Sequence, residues 1–137
     1  MTAIIDKLLA AWNSGDVARI GDLYTADGVM HHPLAPAPLS GRAAIVELET
    51  PMFAAFSELD WRCVSSVAHG DAVAVEFQVT AHNTAPLQTP KGPVPATNRK
   101  IVLRGASMLR LASDGRIAEE RRYFDSGSLF VQLGLAG

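Results

Sequence analysis

The sequence predicts an α+β fold in which three helices come first and a strand meander follows. Two observations carry this. Apolar residues recur at helical spacing early in the chain, as in Ile4, Ile5, Leu8, Leu9 and Trp12. From Leu59 the period changes to two, over Trp61 to Ala68, Ala72 to Asn83, Lys100 to Ala112 and Arg116 to Asp125. Helices grouped ahead of strands, rather than alternating with them, favour helices packed on one face of a mainly antiparallel sheet. A chain of 137 residues suits one domain, 1–137, with a single core.

The elements follow in order. Ala3 to Asn13 forms the first helix, and Asn13-Ser14-Gly15-Asp16 breaks it, with Gly15 suited to a left-handed C-terminal conformation and Asp16 to capping the next helix. Val17 to Tyr24 repeats the rhythm through Val17, Ile20, Leu23 and Tyr24. Ala26-Asp27-Gly28 is a turn, and Val29 to His32 a short strand stopped by Pro33. Pro33, Pro36 and Pro38 keep Leu34 to Ser40 irregular. A third helix starts at Gly41-Arg42 and runs through Ala44, Ile45 and Leu48 toward Phe53 and Phe56, with a kink or break at Pro51.

In the meander, Asp71 and Asp114-Gly115 suit tight hairpins, so the last strands pair antiparallel in sequence order. Pro86 to Pro95, with four prolines in ten residues, forms a stiff loop between two long strands. Ser126-Gly127 turns the last strand into a short apolar segment, Leu129 to Leu133, that Gly134 stops.

Composition excludes several function classes. A net charge of −2, with basic residues scattered singly and in pairs, gives no nucleic-acid footprint. No apolar run approaches the roughly 20 residues needed to span a bilayer, and Asp6 and Lys7 interrupt the N-terminal apolar run, so no signal peptide is read and a cytoplasmic location is expected. The one cysteine, Cys63, sits in an apolar-rich run as a buried structural thiol.

Two places could carry chemistry. Asp125 ends the last strand just before a helix, where it can be an acid/base group at a pocket mouth or the N-cap of that helix. Alternation puts Ile117, Glu119, Arg121, Tyr123 and Asp125 on one side of this strand and Ala118, Glu120, Arg122 and Phe124 on the other. The first set suits a polar-lined pocket, and an exposed sheet face bearing Glu and Arg pairs would look the same. The second place is His31-His32, at a strand end beside a proline, where an imidazole can act as a general base near neutral pH. The four histidines show no HxH or HxxxH spacing, and no phosphate loop, dinucleotide fingerprint or nucleophile elbow is present, so neither a metal nor a cofactor is expected. The aromatic residues and methionines are spread over every element and provide apolar walls for a hydrophobic ring or chain.

The C-terminal pattern, aromatic-x-Asp (Tyr123-Phe124-Asp125), an apolar turn and Gln132-Leu133-Gly134, resembles the signature of the SnoaL-like polyketide cyclases within the NTF2-like superfamily. Pro95-Ala96-Thr97-Asn98-Arg99 resembles that family's Pro-x-Thr-Gly-Arg turn, with Asn98 in place of a glycine that takes positive φ. Earlier motifs, Trp-Asn-Ser-Gly-Asp, Tyr-x-x-Asp-Gly, His-Pro and Gly-Arg-x-x-Ile, follow the superfamily's order. The resemblance implies a cone-shaped barrel with the three helices in the concave face of a strongly curved sheet.

It also implies a small cofactor-independent enzyme that moves protons on an apolar carbonyl compound, as an isomerase, aldol-type cyclase or hydratase. Asp125 is then the acid/base and His32 the second proton-transfer or orienting group. Tyr123, Trp61, Met30, Phe77, Arg104 and Trp12 shape or line the pocket. A ketosteroid isomerase proper would also need a tyrosine where Leu8 stands and an acid near Ser107. Limonene-epoxide-hydrolase-like chemistry would need an Asp-Arg-Asp set, for which Asp125 and Arg104 are the members at hand. The other class of reading is a non-catalytic NTF2-like binding or assembly module, in which Asp125 is spent on its cap and His32 faces water. The resemblance further implies a homodimer through the convex sheet face, around Arg104, Met108 and Arg110.

Overall fold

The computed structural model describes residues 3–89 and 91–135. Helices α1 (Ala3–Ser14), α2 (Val17–Gly21) and α3 (Arg42–Ala55) precede the long strands β3 (Phe56–His69), β4 (Ala72–Asn83), β7 (Lys100–Leu111) and β8 (Ile117–Phe124). With β1 (Tyr24–His31) and β2 (Leu39–Ser40) these strands form a six-stranded sheet of order β2-β1-β8-β7-β4-β3. Every neighbouring pair is antiparallel except β1 with β8. This is the predicted α+β architecture, with the N-terminal helices on one face of a mainly antiparallel sheet.

The alternation that predicts β4 is also what buries it. Val73, Val75, Phe77, Val79 and Ala81 point inward, and Glu76 between them is exposed. Ile4, Ile5, Leu8 and Trp12 of α1 pack on Val73, Val75 and Phe77 together with Ile20, Tyr24, Met30 and Ile45, forming the larger of two apolar clusters. Val79, Ala81, Ile101, Leu103, Leu129 and Leu133 form the smaller, and Trp61 packs against both.

Four elements differ from the sequence prediction. The second helix ends at Gly21, and Tyr24 opens β1; Leu23 and Tyr24 continue the apolar rhythm, but Tyr24 pairs with Ile117 across the sheet. The predicted turn at Ala26 to Gly28 lies within β1, at a register shift between Tyr24 and Val29. Helix α3 continues through Pro51 to Ala55, because its apolar face is held on both sides of the proline. The proline-rich stretch holds a small hairpin of β5 (Leu87–Thr89) and β6 (Gly92–Val94), packed against α3.

The closing helix α4 (Ser126–Gln132) lies on β7. Gln132 fastens it there, donating from Nε2 to the Val102 carbonyl at 2.8 Å and accepting the Val102 N–H at 2.7 Å. Asn98 has φ 58°, so it takes the left-handed conformation expected of it. Gly105 is required by close approach rather than by φ. A Cβ there would lie 2.4 Å from the Tyr123 carbonyl oxygen and 2.6 Å from Phe77 Cζ. Gly105→Ala should therefore cost about 1–3 kcal/mol by overpacking, read as a lower urea midpoint at unchanged slope.

On the outer sheet face, Val67, Val102, Met108 and Tyr123 are exposed apolar side chains among charged neighbours. Among the described residues no helix is long and apolar enough to cross a membrane.

Candidate active site

The site begins with two residues on β8. Glu120 and Arg122 are two apart on a strand, so both point to the same side, and that side is the interior; Glu120 is fully buried and Arg122 is 5% exposed. Arg122 Nε donates to Glu120 Oε2 at 2.8 Å. From α3, Glu49 lies one helical turn beyond the buried Ile45 and accepts from Arg122 Nη1 at 2.7 Å. The guanidinium lies over the Trp12 ring, with Cζ 5.1 Å from its centroid.

The two carboxylates are unequally served. Glu120 also accepts the Tyr24 hydroxyl on Oε1 and the Ser107 hydroxyl on Oε2 at 2.7 Å. Burial pushes its carboxyl up, but Arg122 and these hydroxyl donors outweigh burial and hold it below the usual range. Glu49 has the single bond from Arg122, and burial leaves its carboxyl above the usual range. Arg122 is held protonated by both carboxylates in spite of its burial. Burial and the Glu120 charge together push the Tyr24 hydroxyl well up, so it stays a neutral donor.

His32 completes the polar set. It follows β1 directly and is 8% exposed. Its Nδ1 accepts the Leu34 N–H at 3.1 Å, which leaves the proton of a neutral ring on Nε2. Burial first, and then the Arg122 charge, lower its pKa to about 3. The ring packs edge-on against Phe124, with centroids 5.4 Å apart.

His32, Glu49 and Arg122 line one side of a cavity of about 70 Å³ whose other walls are apolar, among them Phe53, Trp61, Leu103 and Phe124. The cavity lies within the smaller apolar cluster, and the Glu49–Arg122–Glu120 network marks its boundary with the larger one.

The sequence-predicted residues fall into three groups. His32 and Trp61 line the cavity. Trp12, Met30 and Phe77 are fully buried in the larger cluster and do not form the cavity wall; Trp12 and Phe77 pack against Trp61, at 4.3 Å and 5.1 Å between ring centroids. Asp125, Tyr123 and Arg104 do not reach it. Asp125 is exposed and caps α4, accepting the Ser128 N–H at 3.0 Å. Tyr123 is 56% exposed on the outer face. Arg104 is exposed too, with its Nε bonded to Gln78 Oε1.

The reason is a choice of face. The inward side of β8 carries Glu120, Arg122 and Phe124, opposite to the side the sequence favoured for a pocket. Glu49, Arg122 and Glu120 are thus the residues the sequence did not single out. One signal pointed to Glu49, a carboxylate at helical spacing from the apolar Ile45, Met52 and Phe53. Among the described residues no group of three or more His, Cys, Asp or Glu side chains is placed to hold a metal ion.

Known proteins share this arrangement of elements. A protein with a ketosteroid isomerase-like fold from Catenulispora acidiphila, crystallised with trimethylamine, superposes with a TM-score of 0.79 at 21% identity, covering 98% of this chain and 95% of its own. AclR of Streptomyces galilaeus, described as a candidate hydroxylase, superposes with a TM-score of 0.79 at 27% identity, over 96% and 93% of the two chains. SalBIII, an epoxide hydrolase/cyclase-like enzyme of pyran-ring formation in salinomycin, gives 0.71 at 20% identity, over 91% and 90%. The first and third likenesses are of fold alone. The model of the SnoaL-like domain matches residues 5–120, from the first turn of α1 to the buried glutamate of β8, and the chain belongs to that family.

Proposed function

We propose that this chain is a small cofactor-independent enzyme that moves a proton on an apolar carbonyl compound, with Glu49 as the base and His32 as a neutral hydrogen-bond donor. The observation that carries the reading is the unequal solvation of two carboxylates sharing one guanidinium. Pairs of titratable groups whose surroundings push them apart mark acid/base sites. Glu120, held by three donors, is a fixed charge, whereas Glu49, with one donor, can give and take a proton.

In this reaction a Glu49 oxygen removes a proton from the carbon beside the carbonyl. The electron pair moves onto the carbonyl oxygen, which accepts a hydrogen bond from His32 Nε2–H. Glu49 then returns the proton to carbon, at the same position or a conjugated one. A neutral imidazole suits this role, since it stabilises the oxyanion without giving up its proton. The acid/base part expected of Asp125 passes to Glu49. Pairing of two copies through the outer face belongs to the same proposal and is supported by Val67, Val102, Met108 and Tyr123.

One feature favours epoxide opening as a second reading. Glu49–Arg122–Glu120 is a carboxylate–arginine–carboxylate set, and SalBIII is among the structural neighbours. Proton transfer ranks higher because Glu120 lies behind Arg122, off the cavity wall, leaving one carboxylate to meet a substrate.

The test is exchange of the α-hydrogens of 2-butanone for deuterium in D2O, followed by NMR. Wild-type protein should exchange them faster than buffer, with a rate that rises with pH through one ionisation above the ordinary carboxylate range, because the raised Glu49 must lose its proton to act. Glu49→Gln should lower the rate by about 10²–10⁴-fold. Asp125→Asn keeps an N-cap and should leave it unchanged. Full activity in Glu49→Gln would remove the base. Ketone binding without exchange would make the chain a binding module.

A further inference from the structure

The inner cavity of about 70 Å³ is small beside the roughly 300–1,000 Å³ of sites that enclose a drug-sized ligand. A second, larger space adjoins it. A groove of about 600 Å³ runs between α3, the β5–β6 hairpin, the segment after β1 and α4, lined by Leu34, Leu48, Met52, Leu87 and Phe130 among others. The two spaces share Met52 as a wall. At two further places their linings lie close in the chain: His32 and Leu34 after β1, and Leu129 and Phe130 on α4. Met52, which both spaces share, carries an unbranched thioether side chain, the kind that changes rotamer most readily.

We infer that cavity and groove are one binding site divided by Met52, and that its ligand is an amphiphile with a compact carbonyl head and a longer, neutral apolar remainder. The head meets His32 and Glu49 in the inner cavity, and the remainder lies along α3 in the groove. This rests on the reading of the inner cavity as the place of chemistry. Charge selects the far end of the ligand. Among the described residues Glu47 is the one charged side chain lining the groove, so an anionic tail such as a carboxylate or phosphate is disfavoured there. Length is selected by the groove, which offers apolar surface well beyond what the inner cavity contains.

The test is a homologous series of methyl ketones, 2-butanone to 2-undecanone, with affinities read from NMR titration of the full chain. Once the alkyl chain is long enough to pass Met52, affinity should climb about three- to fourfold per added methylene, the factor for burying a CH2 group. Leu48→Arg, at a half-buried groove position, should flatten that climb, so that the longer ketones bind this variant no tighter than 2-butanone does. Affinity that levels off at the shortest ketones, or a climb indifferent to Leu48→Arg, overturns the inference. These outcomes separate it from the proposed reaction: a length-dependent climb without exchange sinks the reaction alone, and exchange without a climb sinks the two-part site alone.

Discussion

Arg122→Met should destabilise the fold by about 3–5 kcal/mol at neutral pH, the largest single-substitution effect expected in this chain. The loss comes from charge rather than volume, since methionine fills much of the same space. Arg122 is the cation shared by the fully buried Glu120 and by Glu49, 2% exposed. Without it, two carboxylates are left in an apolar interior. Burial then raises the folded-state pKa of both above the unfolded value of about 4.3. A group so raised favours the fold below its unfolded pKa, and that contribution is lost as pH rises through the folded pKa. The gap between variant and wild type in urea titrations should therefore narrow as pH falls from 7 toward 5. Adding Glu49→Gln and Glu120→Gln to Arg122→Met should recover most of the stability at pH 7, because a neutral set replaces an uncompensated one. A gap that stays constant with pH, and a triple variant no better than the single one, would show a packing defect instead.

Acid should unfold the protein by a second route, through His32. Its folded pKa of about 3 lies below the unfolded value of about 6.5. A depressed group contributes stability that is present above the unfolded pKa and is drained as pH falls toward the folded one. For His32 alone the window runs from about pH 6.5 down to 3, with a loss of about 2 kcal/mol by pH 5 and roughly 3 kcal/mol by pH 4. Glu49 works in the opposite sense, because its raised carboxyl takes up a proton more readily in the folded state. The comparison must therefore be with His32→Asn, whose side-chain oxygen can still accept the Leu34 N–H. Urea midpoints of wild type should fall more steeply between pH 6.5 and 4 than those of His32→Asn. Parallel curves would mean that His32 takes up its proton inside the fold at little cost.

The sequence showed the fold more clearly than the site, for physical reasons. Periodicity reports burial along one element, so α1, β4 and the antiparallel meander were legible from their own residues. The site depends on which side of β8 faces inward, and there periodicity is silent, since Glu119 and Arg121 alternate with Glu120 and Arg122. What decides is remote: Glu49 lies 73 residues before Arg122, and Tyr24 lies 96 before Glu120. The sequence also assigned Tyr24 to a helix, which removed the hydroxyl that fixes Glu120. Asp125 was placed correctly at a strand–helix junction, and both of its readings, cap and catalyst, were open there; the Ser128 N–H takes its carboxylate.

The parallel pairing of β1 with β8 joins strands far apart in the chain, Tyr24 with Ile117 and His31 with Arg121. Contacts of such long sequence separation form slowly, because loop-closure entropy must be spent before they return anything. A nascent chain that has emerged through β7 already carries His32, Glu49, Phe53 and Trp61, but lacks the arginine that balances Glu49. Until β8 inserts between β1 and β7, two strand edges stay open to partners of the wrong kind. Insertion of that one strand closes both edges and sets Arg122 against Glu49, so protection from aggregation and the assembled charge network arrive in the same late step of maturation.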